Sequence, residues 1–160
     1  MSDQRSDEDI QKWQRWFAVE CNNRAWRLSE APSRSPTEDN EMLNAAHAAA
    51  FHWSKIGTEV HAARVAMLLA HVYALLGHGP DAMRYAKTSF ESITSRESPD
   101  WEIAFAHAVL ANAASAVNDS VMHSHHYAQA QRIGLALPNV EERKIFEAMF
   151  SRIPTPQDLA

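Results

Sequence analysis

The chain has a single cysteine, Cys21, in 160 residues, so no disulfide can form within it. Glycine (4) and proline (7) are scarce, which excludes collagen-like and low-complexity chains. Basic residues are outnumbered, 15 against 20 acidic ones. The formal charge of −5 provides no basic face for non-specific nucleic-acid binding. Long hydrophobic runs are missing too. The longest uncharged stretches, Val65–Pro80 and Ile103–Asn118, have 16 residues each, too few to span a bilayer. The opening MSDQRSDEDI is acidic and has no apolar segment of the kind a secretory signal needs. These absences lead us to expect a soluble, cytoplasmic protein with neither a membrane nor a nucleic acid as partner.

Catalytic signatures are also missing. There is no GxSxG, Walker loop, HExxH or GxGxxG, and no ExxH of the di-iron bundles. Nothing calls for a cofactor, and the expectation is a protein that is not an enzyme. Cys21 lies on an apolar helical stripe and reads as a small packing residue.

Two residue types are abundant: 27 alanines and nine histidines. No segment alternates with period two, and most are rich in Ala, Leu, Met, Glu and Arg, which favour helix. Ser6 precedes an acidic first turn, and the first helix should end before Pro32. Ser35-Pro36-Thr37-Glu38 is a capping box with proline at the first helical position. That second helix should stop at Gly57. Thr58 caps a third, which stops at Gly77; Gly79-Pro80-Asp81 opens a fourth. Ser98-Pro99-Asp100 opens a fifth, and Asn118-Asp119-Ser120 separates it from a sixth, which Gly134 to Pro138 should end. Asn139 with Glu142 caps a seventh, expected to reach about Ile153. Charge is unevenly spread: positions 41–137 carry only 14 charged side chains, so the helices there should be covered on more than one face.

A shift of 41 residues partly superposes the chain on itself. Leu69-Ala70 falls on Leu110-Ala111 and Gly77 on Asn118. The pattern Ala70-x-x-Tyr73-x-x-x-Gly77-x-x-x-x-Ala82 resembles the tetratricopeptide repeat. The surrounding segment, residues 50–77, is similar to uncharacterised bacterial members of that class. The unit that follows departs from the pattern, with Ala114, Asn118 and His123 at three of its positions. The resemblance implies one all-α domain over 1–160, a right-handed stack of antiparallel hairpins. Its units would be 6–57, 58–97 and 98–137, with a capping helix at 139–153.

In such stacks the first helix of each hairpin lines a concave groove that takes extended peptides. Carried over by the Ala70–Gly77 match, the groove residues are Arg64, Met67, His71 and Ala74. The 41-residue shift adds Phe105, Ala108, Asn112 and Ser115. Arg64 would hold a carboxylate, His71 and Asn112 would bind peptide backbone, and Met67 and Phe105 would supply apolar contact. His61, Arg64, Leu68, His71, Leu75 and His78 form one stripe, which could instead pack on a helix or a second subunit. Trp13 and Trp16 are candidates for an exposed patch or dimer contact, and Trp26 also falls off the main stripe. His123 and His126 share a helix face and could chelate a metal, without an identifiable third ligand.

The leading expectation is a non-enzymatic module that binds a peptide, a protein partner or its own copy. A histidine-dependent metal-binding protein and a structural or regulatory homodimer are the alternatives. Full protonation of nine histidines would take the charge from −5 to +4, so a pH response is a further expectation.

Overall fold

The computed structural model describes residues 7–156. Over them the chain forms α1 (Asp7–Ser29), α2 (Pro36–Ile56), α3 (Glu59–Leu75), α4 (Gly79–Thr94), α5 (Asp100–Ala116), α6 (Ser120–Leu135) and α7 (Val140–Phe150), with no strand. Ser6, expected to precede the first helix, lies outside the described residues.

The local signals act where the sequence places them. The Glu38 N–H donates to the Ser35 hydroxyl at 3.2 Å, and the Ser35 N–H donates to the Glu38 carboxylate at 2.7 Å. This reciprocal cap, with Pro36 at the first helical position, starts α2. The Asn139 side chain accepts from the N–H groups of Glu141 and Glu142 and starts α7. Thr58 uses a variant of the box: its N–H donates to His61 Nδ1 at 3.1 Å, so a histidine stands where glutamate is usual.

The 41-residue repeat is visible in the backbone. Gly77 ends the α3 turn with φ of 76°, and Asn118 ends the α5 turn with φ of 59°. Both take the left-handed conformation that glycine and asparagine tolerate best. The symmetry extends inward, because Ala63 and Ala70 and their counterparts Ala104 and Ala111 are all buried.

One expected boundary changes. α7 ends at Phe150, not near Ile153, and the chain leaves it through turns. α6 ends at Leu135, within the Gly134–Pro138 stretch expected to stop it, and Gly134 itself lies in the last turn of the helix. A Cβ there would sit 2.1 Å from the Phe146 ring, so glycine is required for α7 to pack on α6. The fifth helix starts at Asp100 with Pro99 as its cap residue and no side-chain cap. Ser98 instead donates to the Ile93 carbonyl at 2.8 Å.

The most extensive contacts join consecutive helices, α1 with α2, α3 with α4 and α5 with α6. The odd-numbered helices also touch in series: α1 with α3, α3 with α5, and α5 with α7. Helix α3 belongs to two apolar clusters. One gathers Leu28, Met42, Leu68, Leu69 and Val72. The other gathers Met67, Phe105, Val109, Phe146 and Phe150 with many alanines. Small side chains allow these backbones to approach closely, which is where the alanine excess is used. No helix among the described residues is long and apolar enough to cross a membrane.

Candidate functional site

A groove of about 540 Å³ opens along the odd-numbered helices, a volume within the range of ligand sites. Helix α1 contributes Trp26, the turn after it Glu30, the end of α2 Trp53, α3 contributes His61, Arg64 and Met67, α5 contributes Trp101 and Phe105, and α7 contributes Glu142 and Ile145. Met67 and Phe105 are buried and form its floor. The three tryptophans are half-buried, with ring surface left for a ligand.

The aromatic walls are held by ring contacts. Trp53 stacks on His61 with centroids 4.1 Å apart. Trp26 stacks on His71 at 5.7 Å and meets Phe105 edge-on. Trp26 therefore belongs to the groove and not to an exposed patch. Its position is legible only once α1 is laid across α3. Burial, then the charges of Arg64 and Arg15, push the His61 pKa down.

Arg64 is the expected groove cation, and it already has its carboxylate. It pairs with Glu102 of α5, which is fully buried, and its guanidinium lies 4.9 Å from the Trp101 ring centroid. Arg96 binds the other Glu102 oxygen at 2.8 Å. A peptide carboxylate would have to displace a buried internal one, so this role passes from an external ligand to Glu102. Sequence reading missed Glu102. One signal was present: with Ala106, Val109 and Ala113 it recurs at helical spacing on a face that is otherwise apolar.

His71 and Asn112 require a second correction. They were expected to bind peptide backbone, but both are buried and bonded to each other, Asn112 Nδ2 lying 3.1 Å from His71 Nδ1. They are equivalents under the 41-residue shift, so the repeat partners meet across the α3–α5 contact. The amide donates to Nδ1, which leaves the ring neutral with its proton on Nε2, a buried atom without a partner. Burial first, then the Arg34 charge, push the His71 pKa down to about 3.

The α3 stripe thus divides. His61 and Arg64 reach the groove, Leu68 packs in the α1–α2 core, and His71 is covered by Trp26. Ala74, Ala108 and Ser115 are not among the groove residues, and Ala108 is buried in the core.

The metal candidates separate as well. His123 is buried and its Nδ1 donates to the Ala111 carbonyl at 2.8 Å. His126 pairs with His107, the two Nδ1 atoms 2.9 Å apart, with Phe90 edge-on to both rings. Burial, then the neighbouring His126, push the His107 pKa down to about 4. Among the described residues no three His, Cys, Asp or Glu side chains are placed to hold a metal ion.

Trp13 and Trp16 stand on the outer half of α1, 59% and 52% exposed, beside exposed Phe17. The Trp16 and Phe17 rings are 5.0 Å apart. Comparison of the chain with known protein families, with curated proteins and with solved structures found no match.

Proposed function

We propose that the protein is a non-enzymatic interaction module of tetratricopeptide-like type, and that the groove along α1, α3, α5 and α7 receives an extended segment of a partner. The observation that carries this reading is the groove's lining: three tryptophans, a buried Met67–Phe105 floor and few charges. Half-buried aromatic rings supply large contact area at small entropic cost, as in peptide-binding grooves.

Ile145 gives the test. It lies on the groove rim and is 58% exposed, so a charge there leaves the fold intact and spoils the site. Random peptides displayed on phage and selected on the wild-type protein should lose affinity about tenfold or more for Ile145→Glu, the scale of a lost apolar anchor. Circular dichroism and melting should be unchanged. Absence of enriched peptides, or full binding to the variant, overturns the reading.

A second reading, pairing with another copy through α1, is favoured by the exposed Trp13, Trp16 and Phe17. Asp9, Arg24 and Arg27 are exposed on the same helical face. An antiparallel copy would bring Trp16 of one chain toward Phe17 of the other, while Arg24 stays paired with Glu41 of its own chain at 2.6 Å. Sedimentation at micromolar concentration should give a dimer for the wild type and a monomer for the Trp13→Glu/Trp16→Glu variant. A wild-type monomer would exclude this contact.

A further inference from the structure

The groove's charges point to the chemistry of what it holds. Arg64, the one arginine lining it among the described residues, is committed to Glu102. Its two lining carboxylates, Glu30 and Glu142, have no such partner: among the described residues neither makes a hydrogen bond through its carboxylate or an ion pair. Arg152 is the cation whose field reaches Glu30, yet it forms no ion pair with it. The groove therefore offers unpaired negative charge beside half-buried indole.

The protein's own cations show how the remaining space would be used. Arg64 lies over Trp101 at 4.9 Å and Arg15 over Trp53 at 5.8 Å, both within cation–π range. Trp26 is the groove tryptophan over which no cation of the described residues sits. Glu30 follows it by four residues in the turn that closes α1, its N–H donating to the Trp26 carbonyl at 3.2 Å, and Glu142 faces the same groove from α7. An aromatic ring with a carboxylate one turn away suits a cation on an aliphatic stem, and it repels an anion.

We propose that the groove takes a partner segment bearing a lysine or arginine, whose charged head is held between Trp26 and the Glu30 and Glu142 carboxylates and whose apolar neighbours cover the Met67–Phe105 floor. This rests on the groove reading above and specifies its occupant. A separate property of Glu30 agrees. Burial pushes its carboxyl above the usual range, with the Arg152 charge opposing, so the ionised form is incompletely compensated and gains from an incoming cation.

Three capped pentapeptides test this: acetyl-Gly-Leu-Xaa-Leu-Gly-amide with Xaa as lysine, arginine or norleucine. Each is titrated into wild-type protein, Glu30→Gln and Ile145→Glu, with the Trp26 indole N–H resonance as the readout. The lysine and arginine peptides should bind about tenfold tighter than norleucine and shift the Trp26 signal, the size expected of a charge-assisted contact with an aromatic face. Glu30→Gln should reduce that preference to within about twofold while norleucine binding stays the same. Ile145→Glu should weaken the norleucine peptide, which loses an apolar contact and has no charge to gain from the added carboxylate. Equal binding of norleucine that is still sensitive to Ile145→Glu overturns the cation proposal and leaves the groove reading standing. A lysine preference that survives Glu30→Gln removes Glu30 from the site and overturns the proposal as stated. No binding by any peptide at millimolar concentration overturns both.

Discussion

Replacing Glu102 with alanine should destabilise the protein by about 3–5 kcal/mol, the cost of breaking a buried ion pair from one side. Glu102 is fully buried and joins Arg64 and Arg96, which come from α3 and from the segment after α4. The variant removes the only carboxylate bonded to either arginine among the described residues. Arg64 is 43% exposed and can turn to water. Arg96 is less able to, since it is only 27% exposed and its Nε is already buried without a partner. The loss should therefore come mainly from Arg96 and from the cavity at the start of α5. Glu102→Gln keeps the volume and part of the bonding, and should cost roughly half as much. Urea unfolding followed by circular dichroism measures both. A loss below about 1 kcal/mol for the alanine variant would mean that the pair contributes no more than an exposed one.

Acidification should unfold the protein earlier than its carboxylates alone would require, through His71. The folded ring has its pKa lowered to about 3, whereas an unfolded histidine titrates near its ordinary 6.5. Between those values the unfolded chain binds a proton that the folded protein refuses, so stability falls as pH drops from 6.5 toward 3. Above 6.5 the group contributes no pH dependence. The slope is about 1.4 kcal/mol per pH unit, or about 2 kcal/mol lost by pH 5. His107, lowered to about 4, acts in the same direction, with a smaller effect because water screens it. Denaturant unfolding at pH 7.5 and pH 5 should show this loss in the wild type. His71→Gln, which can keep a bond to Asn112 and does not titrate, should reduce the difference by about 2 kcal/mol whatever its stability at pH 7.5. An unchanged difference would show that protonation of His71 is tolerated. His71 and His107 thus give the pH response expected of a histidine-rich chain a component in stability.

The helices were the legible part of the fold. Ser35 to Glu38, Asn139 and the Gly77–Asn118 correspondence act through the backbone within a few residues of themselves. Propensity and capping are local, so the residues that start and stop a helix are written beside it. Gly134 shows the limit of such reading. A glycine there agrees with the end of α6 at Leu135, but what requires it is the ring of Phe146 on another helix.

The groove was legible in half. Met67, Arg64 and Phe105 line it as the repeat implied, but Trp26, Trp53, Glu30 and Glu142 come from segments that the repeat match did not reach. Glu102 and the His71–Asn112 pair were hidden for a related reason. Helical spacing tells which residues share a face, and it is silent on what that face meets. Along α3 a single stripe changes from groove wall to core within three turns, because α1 crosses it at Trp26 and closes over His71.

The sequence by itself determined an all-α chain, the places where its helices begin and turn, and an internal echo at 41 residues, since each depends on neighbours along the backbone. Only the tertiary structure decided which polar residues face an opening and which are sealed inside. Burial depends on how helices cross, and those contacts join residues far apart in the chain.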